Sequence, residues 1–484
     1  MLIYNAFPFA YRNLDQVTDQ LKKLHYMGFQ VIWFNPIQYS RRYDGYCGGS
    51  LYSMTRNDSF LSQWQNGDVK MNEEALLKIS KEANRHDMTL MFDLVMNQAG
   101  RMLALNEKFK HLFSNPHNGQ FDYSTYQARK RVFDEFFKPF IVRYVTEYGF
   151  TGMRIDAAGV VPCDMQVMAI ELFRELCRKY HRKEGVVLGE YLESNEKIDF
   201  FKTEGVHYDL ITNSSHWSVN SSPYFDQCKR GGHNADMGER RRIATQGTIG
   251  WTGNHDVKTL YQFCEENLPK YTMQSIAQRN NALAKMMRER IAVMAFISDG
   301  GYYMLCGDEY GSFQPRSCFE WEADKSGEPA LRNGQTYHDN WGGKFDMTEF
   351  IRMVNLMRNN LSKKVSSHFW SEQYVISQDF DPYHNVKCIV RNNEFGFSGD
   401  MDIVLVNINL DQSIVVEINS GIIDNIKNQI KESHSEFDMQ KPNINIHLAG
   451  RFSLNGSVHF DCFMVDQKPE SSCQEQTQRK VNLI

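Results

Sequence analysis

Eight short apolar segments alternate with helix-like stretches over about the first 360 residues, and this alternation limits the fold more than any other feature of the chain. The segments are Ile3–Phe7, Val31–Phe34, Thr89–Val95, Gly152–Asp156, Val186–Glu190, Tyr208–Thr212, one near Thr248–Thr252, and Tyr302–Cys306. Between them, Leu14, Val17, Leu21 and Leu24 recur at helical spacing, and so do Leu76, Leu77, Ile79 and Ala83 after an Asn72-Glu73-Glu74 start. Thr125–Tyr148, Asp164–Tyr180, Asn280–Ile297 and Thr348–Asn359 read as further helices. Strands separated by helices pair in parallel, so the expected fold class is α/β, a (β/α)8 TIM barrel. A doubly wound open sheet has the same periodicity and stays open as the alternative.

The pattern changes after about Ser366. Tyr374–Ile376, Lys387–Arg391, Ile403–Asn407, Ser413–Ile418, Ile444–Leu448 and Val458–Val465 are short β-rich runs separated by turn residues, as in an antiparallel β-sandwich. The expected organisation is therefore a catalytic barrel over 1–365, a C-terminal β domain over 366–466, and a polar, disordered tail over 467–484.

Composition narrows the function by exclusion. A net charge of −5 offers no electrostatic footprint for nucleic acid or an anionic membrane. No apolar run reaches the ~20 residues of a transmembrane helix. Met1-Leu2-Ile3-Tyr4 has neither the basic nor the apolar region of a signal peptide. The 10 cysteines are scattered without a CxxC pair, as reduced thiols would be, and no zinc site is expected. These features point to a cytoplasmic protein, with export by a leaderless route left open.

In a barrel of this kind chemistry sits where strands end. Asp93, Val95 and Asn97 share one face of the third strand and its extension, and Arg154 and Asp156 share one face of the fourth. An Arg beside a carboxylate lowers its pKa, which suits a nucleophile. Glu190 ends an apolar strand, where desolvation raises a carboxyl pKa, as a general acid requires. Asn254-His255-Asp256 follows the seventh strand. Any one of these, alone, is a helix cap, an ion pair or a turn. The four in order at the ends of different strands are not explained that way.

With Asp93–Gln98, Gly152–Ala158, Gly189–Glu190 and Asn254-His255-Asp256 in sequence order, residues 1–360 resemble the α-amylase family of glycoside hydrolases and transglycosylases. Gly28–Ile37, Gly49-Ser50-Leu51-Tyr52-Ser53 and Gly307-Asp308-Glu309-Tyr310-Gly311 are similar to further family segments. The resemblance implies a retaining enzyme acting on α-1,4-glucosidic bonds of glycogen, starch or maltodextrin, with Asp156 as nucleophile and Glu190 as acid and base. Asp256 would hold the sugar 2- and 3-hydroxyls. Tyr52, Asp93, Gln98, Arg154, Asn254 and His255 are the implied substrate-binding residues. Glucosyl or maltosyl transfer is the alternative within the family, and a non-catalytic glucan-binding protein is a third reading that the intact carboxylate set opposes.

Three departures bear on specificity. Gln98 stands where the family usually has His, and Gly159-Val160 where many amylases have Lys-His. The insertion after the third strand, about 99–124, is short. The family's calcium site normally forms there. Asn97 is the one remaining ligand and a single oxygen does not make a Ca²⁺ site, so no cofactor is expected to be required. The expected partner is an α-glucan oligo- or polysaccharide, with no nucleic acid and no membrane.

Overall fold

A computed structural model of the chain describes residues 1–7, 11, 14–37, 39–40, 48–50, 69–100, 104–190, 203–212, 247–253, 259–268, 275–297, 300–312, 337–364, 372–376, 386–392, 401–409, 414–416, 424, 428, 444–449, 452–454 and 462–464. Eight parallel strands close into a barrel: β1 (Leu2–Ala6), β2 (Val31–Phe34), β3 (Thr89–Leu94), β4 (Gly152–Ile155), β5 (Val186–Glu190), β6 (Leu210–Thr212), β7 (Gly247–Trp251) and β8 (Tyr302–Leu305). Each pairs with its sequence neighbour, and β8 returns to β1 through Leu2↔Tyr302 to Asn5↔Leu305. Closure decides between the barrel and the open sheet, since an open sheet leaves two unpaired edges.

Two-residue alternation sorts each strand into a lumen face and an outer face. Ile3, Val31, Trp33, Met91, Leu188, Leu210, Ile249, Trp251 and Tyr303 fill the lumen. Leu2, Tyr4, Ile32, Phe34, Leu90, Phe92, Met153 and Val187 face the helices in a second, larger core. Gly152 makes room for Met91 of the neighbouring strand, because a Cβ there would lie 2.7 Å from Cβ of Met91.

The helices that cover the barrel are α1 (Asp15–Tyr26), α2 (Val69–Arg85), α3 (Tyr126–Val132, the π-helical turn Phe133–Phe137, and Lys138–Thr146), α4 (Cys163–Leu176), α5 (Leu260–Glu266), α6 (Ile276–Ile297) and α7 (Thr348–Lys364). α2 begins a turn before Asn72, so that residue lies inside the helix rather than capping it. α3 is capped by Thr125, whose side chain accepts from the Ala128 N–H. The segment after β3 is a small unit: a 3-10 turn at Lys110–Leu112 and a hairpin of Phe113–Asn115 with Gln120–Phe121. Its core is aromatic, with the Phe113 and Phe121 rings stacked 4.6 Å apart and Phe121 packed on Phe136 of α3. Among the described cysteines, Cys163, Cys177, Cys264 and Cys306 are free thiols. No described helix is long and apolar enough to cross a membrane.

The C-terminal strands differ from the antiparallel sandwich expected of them. β9 (Glu372–Ile376), β10 (Val386–Asn392) and β11 (Met401–Asn407) are antiparallel, but β12 (Ile444–Ala449) joins β11 in parallel and β13 (Cys462–Met464) joins β12 in parallel. The sheet is therefore mixed. Parallel pairing needs a long return connection, and residues 408–443 supply one between β11 and β12. Ile414–Val416 and Phe452–Leu454 form a separate parallel pair, the second of which has no counterpart in the expected strands. Val404, Val406 and Ile408 belong to the same apolar core as the barrel helices, and Arg288 Nη1 of α6 donates to the Ile408 carbonyl at 3.0 Å. The tail expected to be disordered lies outside the described residues.

Candidate active site

The site is assembled by strand register. Asp93 of β3 pairs directly with Arg154 of β4, and Arg154 pairs with Leu188 of β5. One pleat further toward the C-terminal end, on the same face, stand Asp156 after β4 and Glu190 at the end of β5. Asp156 leaves the strand but keeps its ladder bond, donating its N–H to the Leu94 carbonyl at 3.2 Å. Two carboxylates thus stand above one guanidinium because three adjacent strands place their lumen residues at matching heights.

Arg154 is the hub. Its Nη1 donates to both Asp93 oxygens, at 2.7 and 2.6 Å, and to Asp156 Oδ1 at 3.0 Å. Its Nη2 lies 2.6 Å from Glu190 Oε1. The guanidinium also stacks over Trp33 of β2, 4.7 Å from the ring centroid, and Trp33 Nε1 donates to Asp93 Oδ2 at 3.3 Å. Asp93 and Arg154 retain 0 and 2 % of side-chain exposure, whereas Asp156 and Glu190 retain 11 and 9 %. The two upper carboxyls are therefore the more exposed members of the cluster.

Among the described residues, three carboxylates share one buried guanidinium. Burial pushes the Asp156 carboxyl well above the ordinary range, the Glu190 charge facing it adds to the rise, and Arg154 opposes both without prevailing. This corrects the expectation that Arg154 holds Asp156 ionised: in the free site the guanidinium is divided among Asp93, Asp156 and Glu190. Asp156 and Glu190 interact directly, and the Glu190 charge and hydrogen bond are among the causes that raise the Asp156 carboxyl. Glu190 accepts from Arg154 and, through Oε2, from the Ala157 N–H at 2.9 Å. Ala157 adopts φ 46° and ψ 46°, a left-handed conformation that costs an alanine roughly 1–2 kcal/mol, and that geometry aims its N–H at Glu190.

The remaining expected site residues fall differently. Gln98 is half-buried at the end of the segment that starts with Asp93. Asn97 Oδ1 is buried and makes no hydrogen bond. Among the described residues no group of three or more His, Cys, Asp or Glu that could hold a metal is found. Tyr52, Asn254, His255 and Asp256 lie outside the described residues. The ends of the segment bearing the last three are described. Thr252 and Leu260, on either side, are both bonded to Asp308 in the turn after β8.

Trp33, Ala157 and Asp308 were not among the expected site residues. Trp33 had a signal, being two residues after Val31 on a strand that ends at the barrel mouth. The Ala157 backbone conformation leaves no mark in the sequence. Asp308 was visible only as part of a turn.

No protein-family model and no curated protein matches the chain by sequence. Solved structures match by fold. A maltogenic α-amylase from Thermotoga neapolitana aligns at TM-score 0.53 and 18% identity over 81% of this chain and 83% of that one. An α-amylase from Anoxybacillus aligns at TM-score 0.57 and 14% identity over 81% and 84%. An α-amylase from Geobacillus thermoleovorans, solved with acarbose, aligns at TM-score 0.54 and 15% identity over 81% and 86%. The fold of this chain is that of the α-amylase family of glycoside hydrolases, extending over most of both chains in each pair.

Proposed function

We propose that the protein is a retaining α-glycosidase of the α-amylase kind, acting on α-1,4-glucosidic bonds of glycogen, starch or maltodextrin. The observation that carries this reading is the pairing of Asp156 and Glu190 over Arg154 at the mouth of an amylase-like barrel. Two facing carboxyls, one to attack the anomeric carbon and one to deliver a proton, are what the reaction needs. Asp156, as carboxylate, attacks the anomeric carbon while Glu190 delivers the proton to the departing glycosidic oxygen. The C1–O bond to the leaving sugar breaks as the C1–Oδ bond to Asp156 forms. Glu190, now ionised, takes a proton from water, whose oxygen displaces Asp156 and restores both groups. Catalysis on this reading requires Asp156 ionised and Glu190 protonated when substrate is bound. Asp256 is assigned the sugar 2- and 3-hydroxyls by resemblance, with Tyr52, Gln98, Asn254 and His255 as further contacts.

Transfer to a sugar acceptor is the second reading, favoured by one observation. Val160, beside the site where many amylases have His, is 64% exposed and offers an incoming sugar an apolar surface. Incubation with maltoheptaose and glycogen separates the two: short reducing sugars support hydrolysis, longer or rearranged chains support transfer. Asp156→Asn is expected to lower turnover by about 10⁴-fold, as loss of a nucleophile does, while the barrel stays folded. Near-normal turnover would remove Asp156 from the mechanism. NMR of early products should show α-anomers, and initial β-anomers would refute retention.

A further inference from the structure

We propose that Asp308 is a positioning residue for the loop after β7, a clamp holding both ends of the segment on which Asn254, His255 and Asp256 stand. This rests on the functional reading above for its catalytic consequence, but the clamp itself is a matter of geometry.

Asp308 stands in the 3-10 turn Asp308–Tyr310 that follows β8, and it is 1% exposed. Its Oδ2 accepts the Thr252 hydroxyl at 3.0 Å and its Oδ1 accepts the Leu260 N–H at 3.1 Å. Gly253 packs against the same group: a Cβ at that position would lie 2.7 Å from Asp308 Oδ2. One carboxylate therefore touches the two residues that precede the segment 254–258 and the residue shortly beyond it. A cap for α5 would need only the Leu260 contact. Holding Thr252 and fitting Gly253 as well is what ties the two ends of the loop to one point.

The chemistry requires a carboxylate. Both partners donate, so two acceptor atoms on a short side chain are needed, and Asn would turn an N–H donor toward one of them. The strand frame behind the clamp is stiff. β7 and β8 pair through Gly250↔Tyr302 and Trp251↔Tyr303, the Thr252 N–H donates to the Tyr303 carbonyl at 3.1 Å, and Arg290 Nε of α6 donates to the Thr252 carbonyl at 3.3 Å. Bonding Thr252 and Leu260 to one buried carboxylate fixes the two described ends of the connection, and a displacement of about 1 Å at a substrate-orienting group is enough to cost ~100-fold in rate.

The test uses the full-length chain with Asp308→Asn, and Thr252→Val as the milder variant. Hydrogen exchange is read on peptides covering 252–260, with 89–94 and 186–190 as internal controls. Hydrolysis of an aryl maltoside with a good leaving group is read in wild-type and Asp256→Asn backgrounds. Asp308→Asn is expected to speed exchange across 252–260 by at least about tenfold with the controls unchanged, and to lower kcat by about 10- to 100-fold with KM altered less than about threefold. In the Asp256→Asn background the same substitution should change the rate by less than about threefold, since the group it positions is already gone. Thr252→Val should shift both readouts the same way, but less. Unchanged exchange over 252–260 would overturn the clamp. An equal loss of rate in both backgrounds would overturn its action through Asp256. A wild-type protein inactive on every α-glucoside would refute the functional reading instead, and the exchange result would still decide the clamp.

Discussion

Asp156 and Glu309 are both buried carboxyls just beyond the ends of barrel strands, and burial pushes both up in pKa. Their partners differ in kind. Glu309 is surrounded by donors: the Tyr4 hydroxyl at 2.6 Å, the Gly307 N–H at 2.8 Å and Gln20 Nε2 at 3.2 Å, with Lys23 acting favourably at longer range. Asp156 faces the Glu190 carboxyl and shares the Arg154 guanidinium with Glu190 and Asp93. Glu309 ties β1 and α1 to the turn after β8 and is satisfied. The Asp156 cluster is under electrostatic stress and sits next to a left-handed alanine. Buried acids are thus not equivalent evidence of function. The one that the fold leaves in conflict is the stronger candidate.

Substitutions sharpen or break this contrast. Arg154→Met should have the largest effect on stability, a loss of about 3–5 kcal/mol in chemical denaturation, because it leaves uncompensated carboxylates in the barrel. A loss below 1 kcal/mol would mean the cluster is largely protonated without its Arg. Glu309→Gln should cost about 1–3 kcal/mol, since an amide cannot accept from both Tyr4 and Gly307 and one donor is left unpaired. Thermal melts check this, and a stabilised Glu309→Gln would erase the distinction.

Asp156→Asn should have the opposite sign, raising stability at neutral pH by about 0.5–2 kcal/mol. A carboxyl whose pKa is raised on folding keeps a proton that the unfolded chain releases. Its cost to stability therefore grows as pH rises from the unfolded value, about 3.9, through the folded one. The gain in Asp156→Asn should accordingly shrink toward pH 4, and melts at pH 4 and pH 7 test both halves. Trp33→Phe keeps the ring beneath Arg154 but removes the Nε1–H bond to Asp93. About 1 kcal/mol of stability is expected to go, with a small fall in kcat, and a large fall would assign Trp33 a more direct role.

Much of the molecule was legible in its residues. β2 and β5 match the expected strands, and β1, β3, β4, β6, β7 and β8 differ only at their ends. A continuous apolar run between helices has few other ways to bury both faces, so the sequence determined the strands, the helices between them and the carboxylates that end β4 and β5. Those are local properties, written in period and residue type. Only the tertiary structure decided that the sheet closes, that β12 and β13 pair in parallel rather than antiparallel, and that Arg154 is divided among three carboxyls. The sequence placed Arg154 beside Asp156 and the pair effect was read from those two alone. Desolvation and the approach of Glu190 depend on strands brought together from residues far apart in the chain, and a sum over distant neighbours cannot be read from any one segment.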